Sequence, residues 1–201
     1  RFYGNEQLAL YRAHEHKDKA GLDEDGILGL LSKDTTVMHD HNKVNYNASY
    51  SFRNIECNQH LLRDLQKVTD TLQRSWSEKL KALIQQAIHD RNTRVTEGYE
   101  AFEDNYVQRF FTQYNQILIE ANKEHEEKPA RYYYNEEAAL ILRVMEYKDN
   151  YFAWLSQFDL PVTNNLSERG LRGVKTHMKV SGQFQSIEYA RHYADIRSYI
   201  E

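Results

Sequence analysis

The stretch "SYSFRNIECNQHLLRDLQ", residues 49–66, passes from one hydrophobic period to another. Up to Cys57 apolar and polar residues alternate, which is the pattern of a half-buried β-strand. From Leu61 onward apolar residues recur every three or four positions, as one face of an α-helix requires. This stretch therefore predicts strands on its N-terminal side and helices on its C-terminal side.

The residues before this stretch add further short elements. "QLALYRAH" (residues 7–14) and "TTVMHD" (residues 35–40) are short, apolar and partly β-branched, as strands are. Between them "KDKAGLDEDGILGLL" (residues 17–31) predicts a short helix that ends near Gly26. The order strand, helix, strand, strand predicts an α/β fold for residues 1–60.

The middle of the chain is predicted to be helical. Residues 30–169 contain a single glycine, Gly98. Three apolar series with helical spacing predict three amphipathic helices in a bundle or hairpin. The series are Leu61, Leu65, Val68, Leu72, Trp76, Leu80, Leu83 and Ala87; Tyr99, Phe102, Tyr106, Phe110, Tyr114, Ile117 and Ala121; and Ala138, Leu142, Met145, Phe152, Leu155 and Phe158.

Two more helices are predicted in residues 161–201. In "PVTNNLSERGLRGVKTHMKVSG" (residues 161–182), Asn164 or Asn165 can cap a helix that Ser181 and Gly182 end, and Ser186 can cap the last helix. Placed on a helix, four charged residues fall on one face, with the last three within about 40° of the first. They are Glu168, Arg172, Lys175 and Lys179, and a separate apolar flank of Leu171, Val174 and Met178 is predicted to dock the helix.

Composition limits the class of protein. With 201 residues and 40% hydrophobic residues, the chain can form one large domain or a domain with a sizeable insertion. No apolar run reaches the roughly 18 residues of a membrane span, and no signal-like leader is present. The single Cys57 fits a reducing compartment, so we expect a cytoplasmic protein. The chain begins with Arg1 instead of methionine, which predicts a fragment or a processed protein.

The net charge of −4 argues against a uniformly basic nucleic-acid-binding protein. The last 41 residues differ from the rest, because residues 161–201 carry 6 Lys or Arg against 4 Asp or Glu. A polyanionic partner is therefore expected to meet this segment first. An excess this small is also compatible with an ordinary solvated surface.

Glu168 allows two interpretations. In the structural one, it favours the helix dipole, pairs with Arg172 four residues later, and the remaining charges are solvated. In the functional one, its carboxylate binds a divalent cation while the following cations hold phosphates. Such a site needs further hard oxygen ligands, and Asp40, at the end of a predicted strand, is the best second candidate. Asp40 can equally be an ordinary turn residue.

Other kinds of site have less support. Cys57 and His60 supply only two zinc ligands, and no second pair follows at a matching spacing. His60 is better explained by packing at the start of the long helix. A glycine-rich phosphate loop, a Gly-x-Ser-x-Gly elbow and a His-Glu-x-x-His motif are all absent from the sequence.

Four segments taken together resemble the transposases of the insertion sequence 66 family, and the resemblance covers the whole chain. They are "VMHDHNKVNY", "IECNQHLLRDLQ", "FDLPVTNNLSERGLRGVKTHMKVSGQFQS" and "YADIRSYI". The combination of a His-Asp pair, a Cys-x-x-His and an Asn-Asn-x-x-Glu-Arg-x-Leu-Arg-x-x-Lys motif is more specific than any one of its parts.

The resemblance implies an α/β, ribonuclease-H-like catalytic core of the DDE class with a large all-α insertion. Residues 1–60 would form the N-terminal part of the core, residues 61–160 the insertion, and residues 161–201 the C-terminal helices of the core. Asp40 would be the second catalytic, metal-binding carboxylate and Glu168 the third. By the same resemblance Arg169, Arg172 and Lys175 would contact DNA, and Lys179 is added because it lies on the same helix face. Asn164, Asn165, Cys57 and His60 would support the site.

The resemblance also implies Mg²⁺ or Mn²⁺ in a two-metal site, transposon-end and target DNA as partners, and a homo-oligomer on DNA in a bacterial cytoplasm. No membrane or small-molecule substrate is expected. The first carboxylate of the family lies on a strand before the position of Arg1, so we expect an N-terminally truncated core that is inactive alone. Two alternatives stay open: a non-catalytic, transposase-derived remnant that binds DNA or a partner, and an oligomerisation module made of the aromatic helices.

Overall fold

The computed structural model of the chain describes residues 1–15, 18–129 and 132–200. These residues are mostly α-helical, with four short strands. The elements are β1 (Phe2–Gly4), β2 (Ala9–Tyr11), α1 (Lys19–Asp25), β3 (Thr36–His39), β4 (Arg53–Glu56), α2 (Asn58–Leu72), α3 (Ser75–Thr96), α4 (Asp104–Glu127), α5 (Tyr134–Glu146), α6 (Lys148–Phe152), α7 (Asn165–Ser181) and α8 (Ile187–Ile200).

The predicted strands and the short helix of the N-terminal part are confirmed. Strands β2, β3 and β4 lie inside the three predicted segments, and α1 ends at Gly26, which has a φ of 67°. Glycine suits this left-handed position because it has no Cβ. Strand β1 was not predicted; it pairs antiparallel with β2 and places Phe2 opposite Tyr11.

Strands β3 and β4 form a second two-stranded sheet. The N–H of Arg53 donates to the carbonyl of Thr35 at 2.9 Å, and the N–H of Cys57 donates to the carbonyl of His39 at 3.0 Å. From the first bond to the second, the donor advances by four residues along the chain and the acceptor also advances by four. The two strands therefore run in the same direction, and the pair is parallel. The C-terminal ends of β3 and β4 therefore lie at the same edge of this sheet.

The chain divides into two compact units. The first unit comprises residues 1–37, 42–54 and 164–201, and the second comprises residues 38–41 and 55–163. The first has a small core of Leu22, Leu28 and Phe52, against which Val37 and Val44 pack. The assignment of these parts as a ribonuclease-H-like core and an insertion stays a prediction.

The second unit is built of paired helices. Helix α2 packs on α3, α3 on α4 and α4 on α5. Two side-chain bonds, Thr69 to Ser77 at 2.8 Å and Tyr106 to Asp90 at 2.6 Å, join successive helices across the first two of these pairs. The core of this unit includes Trp76, Tyr114 and Trp154, all at most 2% exposed.

The prediction of one continuous helix through residues 61–87 was wrong, because α2 ends at Leu72 and α3 begins at Ser75. Between them Gln73 adopts a left-handed conformation with φ 52°. The side chain of Arg74 is 4% exposed and forms a bidentate ion pair with the fully buried Glu137, at 2.9 and 3.1 Å. The chain turns here to bring Arg74 onto this carboxylate.

The other two helical series also differ from prediction in their bounds. Helix α4 begins at Asp104, so Tyr99 and Phe102 precede it. The N–H of Phe102 instead donates to the carbonyl of Leu155, and the N–H of Phe158 donates to the carbonyl of Glu100. These backbone bonds to a distant segment replace the helical ones. The third series is divided at residue 147 into α5 and α6.

Part of the predicted break between the second and third series, Ala130 and Arg131, lies outside the described residues. Among the helices that the structure describes, none is at once long enough and apolar enough to cross a membrane.

Candidate nucleic-acid and metal site

Asp40 directly follows β3, at the C-terminal edge of the parallel strand pair. Its side chain is exposed, whereas its neighbour His39 is 8% exposed and the side chain of His41 is 14% exposed. The C-terminal ends of parallel strands are where α/β proteins place functional groups. The predicted position of Asp40 at a strand end is confirmed.

The two histidines that flank Asp40 both face one carboxylate, that of Glu56 at the end of β4. Glu56 is 1% exposed. Its Oε2 accepts a hydrogen bond from the backbone N–H of His41 at 2.8 Å, and its Oε1 lies 2.9 Å from Nδ1 of His41 and 3.8 Å from Nδ1 of His39. His41 has a φ of 37°, in the left-handed region.

The His41 ring has one more neighbour in the second unit. Tyr147 packs against it edge to face, with ring centroids 4.9 Å apart. The pKa of the Tyr147 phenol is raised, first by burial, then by a hydrogen bond to Glu146 and by the negative charges of Glu146 and Glu56. The surroundings of His41 therefore combine an aromatic face with an acidic group.

The Cys-x-x-His motif, Cys57 to His60, lies at the start of α2 in the second unit. Cys57 is 1% exposed, and its N–H is the donor to His39 described above. The neighbouring Asn58 is fully buried; its backbone N–H donates to the carbonyl of Val162 at 3.0 Å, and its side chain donates to the carbonyls of Tyr151 and Val162 at 2.9 and 3.3 Å. His60 is half-buried in the first turns of α2. The supporting roles of Cys57 and His60 stay predictions, and this geometry adds Asn58.

Glu168 lies in the first turn of α7 and is half-buried. Helix α7 begins at Asn165, as predicted, and the carbonyl of Asn164 accepts from the N–H of Glu168 at 3.1 Å. The predicted capping bond from the side chain does not form. Asn164 has φ −87° and ψ 33° instead of the extended conformation from which a capping side chain reaches the first turn.

The basic side chains of α7 are all exposed. Within the described part of the chain, none of them takes part in an ion pair, so the proposed pair between Glu168 and Arg172 is not formed. These side chains are free to bind an anion. They are Arg169, Arg172, Lys175 and Lys179.

Helix α7 is held against the hairpin of the first unit by a close backbone approach. A Cβ on Gly170 would lie 2.7 Å from the ring of Phe2, and the hydroxyl of Tyr11 donates to the carbonyl of Gly170 at 3.0 Å. The predicted docking through an apolar flank is only partly correct. Leu171 and Val174 are half-buried, but Met178 is 45% exposed and α7 has no buried residue.

The carboxylates of Asp40 and Glu168 are donors of the type that Mg²⁺ prefers. Asp40 belongs to the second unit and Glu168 to the first. Across residues 1–15, 18–129 and 132–200, no group of three or more His, Cys, Asp or Glu side chains is arranged to hold a metal ion. The donor chemistry fits Mg²⁺, while the described residues do not present a complete ligand set.

Sequence reasoning missed Glu56 and Asn58. An acidic residue at the last position of a buried strand was the available signal for Glu56, because an unpaired buried carboxylate is costly and calls for partners. The partners of Glu56 can be identified only once β3 is known to pair with β4, and the sequence alone does not specify that pairing.

Comparison with known proteins identifies the family of the chain. The family model described as Transposase IS66 family matches residues 3–192. No curated protein and no solved structure matches the chain. Since the match covers almost the whole sequence, including Asp40, Glu168 and the basic residues of α7, the chain belongs to the IS66 family of transposases.

Proposed function

We propose that the chain is the catalytic part of a transposase that cleaves DNA and transfers strands with the help of divalent metal ions. Asp40 and Glu168 are two of its metal-binding carboxylates. The observation that carries this proposal is the family match over residues 3–192, combined with an exposed Asp40 at the edge of a parallel strand pair. When bound, Mg²⁺ or Mn²⁺ would activate the attacking hydroxyl and stabilise the leaving oxygen.

The fold of the catalytic part is proposed to be ribonuclease-H-like, with residues 61–160 as an α-helical insertion. The support is an antiparallel hairpin, a short helix and a parallel strand pair in the first 60 residues. Parallel strands need a crossover connection, and residues 40–52 provide one between β3 and β4. The helices between residues 58 and 152 then form a separate apolar core.

The basic face of α7 is proposed to bind the DNA backbone beside Glu168. Arg172 follows Glu168 by one helical turn, and Lys175 and Lys179 follow by two and three turns. Exposed cations without ion pairs suit phosphate contacts, which position a protein on DNA but do not read its sequence. We expect the protein to act on DNA as a homo-oligomer.

The test is cleavage of a duplex that carries an element end, in Mg²⁺ buffer, by the full-length transposase with Asp40→Asn or Glu168→Gln. Each change should abolish cleavage while the thermal unfolding temperature stays near that of the wild type. Two matched controls keep their activity: Asp34→Asn, an exposed acid just before β3, and Glu188→Gln, an acid in the first turn of α8. Full cleavage by either site variant would refute the proposal.

A second candidate is DNA binding without chemistry, which the unpaired cations of α7 favour because it needs no metal ligand. In that case Glu168→Gln leaves the function of the protein intact. Arg172→Ala and Lys175→Ala would then weaken binding in a gel-shift assay. Binding that responds to the cations, with no cleavage by the full-length wild-type transposase, would favour this candidate over the first.

A further inference from the structure

We infer that Glu56 is a positioning residue that aims the Asp40 carboxylate by holding the residues on either side of it. The inference rests on the proposed function, since it gives Glu56 a role in metal binding at Asp40. The contacts that carry it all lie within the second unit, in residues 38–41 and 55–163.

The first step is the arrangement of side chains where β3 ends. The strand ends at His39, and Asp40 and His41 lie in the bend that follows it. His39 and His41 are directed toward Glu56, and Asp40 between them is exposed. Glu56 lies beside both histidines, through its contacts to His41 and at 3.8 Å from Nδ1 of His39, while the Asp40 side chain between them is exposed.

The second step is that Glu56 contacts His41 through both of its carboxylate oxygens. One oxygen of Glu56 accepts the backbone N–H of His41 at 2.8 Å and the other lies 2.9 Å from the ring nitrogen Nδ1. His41 is one of three non-glycine residues with positive φ among the described residues. A left-handed non-glycine residue costs free energy and persists only where its surroundings hold it. The carboxylate supplies that restraint one residue after Asp40.

The third step is that Glu56 is itself fixed. It ends a strand whose next residue, Cys57, donates to the carbonyl of His39 at 3.0 Å. Asn58 then ties the start of α2 to the carbonyls of Tyr151 and Val162. A carboxylate whose two following residues are both fixed by hydrogen bonds can set the position of its neighbours within the small tolerance that a metal site requires.

The experiment measures Mn²⁺ affinity by electron paramagnetic resonance, with the transposase bound to an element-end duplex. Glu56→Gln keeps the shape of the side chain but presents an NH₂ group where one of the donors of His41 lies. Because groups behind the metal ligands commonly change affinity by this amount, we expect Mn²⁺ binding to weaken about tenfold to a hundredfold. The Mg²⁺ concentration for half-maximal cleavage should rise in parallel.

The matched control is Glu137→Gln, which alters another buried carboxylate of the same unit. It should lower the unfolding temperature and leave Mn²⁺ affinity unchanged. A second test uses glycine, which adopts positive φ without strain. Adding His41→Gly to Glu56→Gln should recover part of the lost affinity, because neither the restraint nor the opposing donor of the imidazole ring is then present.

Combination with Asp40→Asn separates positioning from direct metal binding. If Glu56 acts through Asp40, Glu56→Gln causes no further loss of affinity in the Asp40→Asn protein. An additional loss there would make Glu56 a ligand and overturn the inference, as would unchanged Mn²⁺ affinity in Glu56→Gln alone. If Asp40→Asn itself has no effect on Mn²⁺ binding or cleavage, the proposed function fails instead.

Discussion

Alanine at all four cationic positions of α7 should remove a large, calculable share of the salt dependence of DNA binding. Each cation that neutralises one phosphate of B-DNA contributes about 0.9 to the slope of log K against log salt, so four contribute about 3.6. Between about 50 and 200 mM salt these contacts account for an affinity change of about 150-fold. The positions are Arg169, Arg172, Lys175 and Lys179, all exposed and without ion pairs among the described residues.

The assay is fluorescence anisotropy of a labelled element-end duplex titrated at five salt concentrations. The single change Lys175→Ala should lower the slope by about 0.9. Alanine favours helix, so α7 is expected to persist in every variant. Lys123→Ala, on the exposed surface of α4, is the matched control and should leave the slope unchanged. A quadruple variant with the wild-type slope would refute the assignment of this face to DNA.

Three further predictions concern the second unit. Glu137→Gln should lower the free energy of unfolding by about 3–5 kcal/mol in urea titrations, because Arg74 is left buried without its carboxylate; a loss below about 1 kcal/mol would contradict this. Burial raises the pKa of Glu124, but hydrogen bonds from Lys128 and from the backbone N–H groups at the start of α3 lower the pKa by more, so that its value is about 2. This carboxylate therefore adds about 3 kcal/mol of stability that is fully present above pH 4.5 and is lost as the pH falls toward 2, and Glu124→Gln should flatten the stability profile in that window. Asn58→Ala should cost about 1–3 kcal/mol in thermal denaturation, because two buried carbonyls lose a side-chain donor; an unchanged unfolding temperature would show that water replaces it.

The sequence predicted those elements whose ends carry local signals. Gly26 ends α1 and Gly182 follows α7, each with positive φ, as a glycine beyond a helix end predicts. The alternation in residues 49–57 predicts β4, and the short, partly β-branched run before Asp40 predicts a strand that ends there. Each of these features depends on residues that are neighbours in the chain.

Features that depend on distant residues were missed. The break at Gln73 and Arg74 has no glycine or proline, and its cause is a carboxylate 63 residues away from Arg74 in the chain. Strand β1 becomes recognisable only through its partner β2. The apolar series that begins at Tyr99 has helical spacing throughout, although before α4 the backbone of Phe102 bonds to Leu155 and that of Glu100 to Phe158.

In the candidate site, too, features set by neighbouring residues were predicted and features set by distant residues were missed. The residue types at Asp40 and Glu168, and the cations after Glu168, were readable from motif and spacing. The role of Glu56 depends on the parallel pairing of β3 with β4, and that of Asn58 on the return of the chain at Val162. Both relations are set by tertiary structure.

The central proposal is that Asp40 and Glu168 bind the same metal site. Its most direct test is a crystal structure of the transposase on an element-end duplex, with Mn²⁺ located by anomalous scattering. Two metals about 4 Å apart place their carboxylate ligands within about 8 Å of one another, so we predict Mn²⁺ in contact with both side chains. Mn²⁺ bound elsewhere, with the two carboxylates well ordered and farther apart than this, would contradict the account.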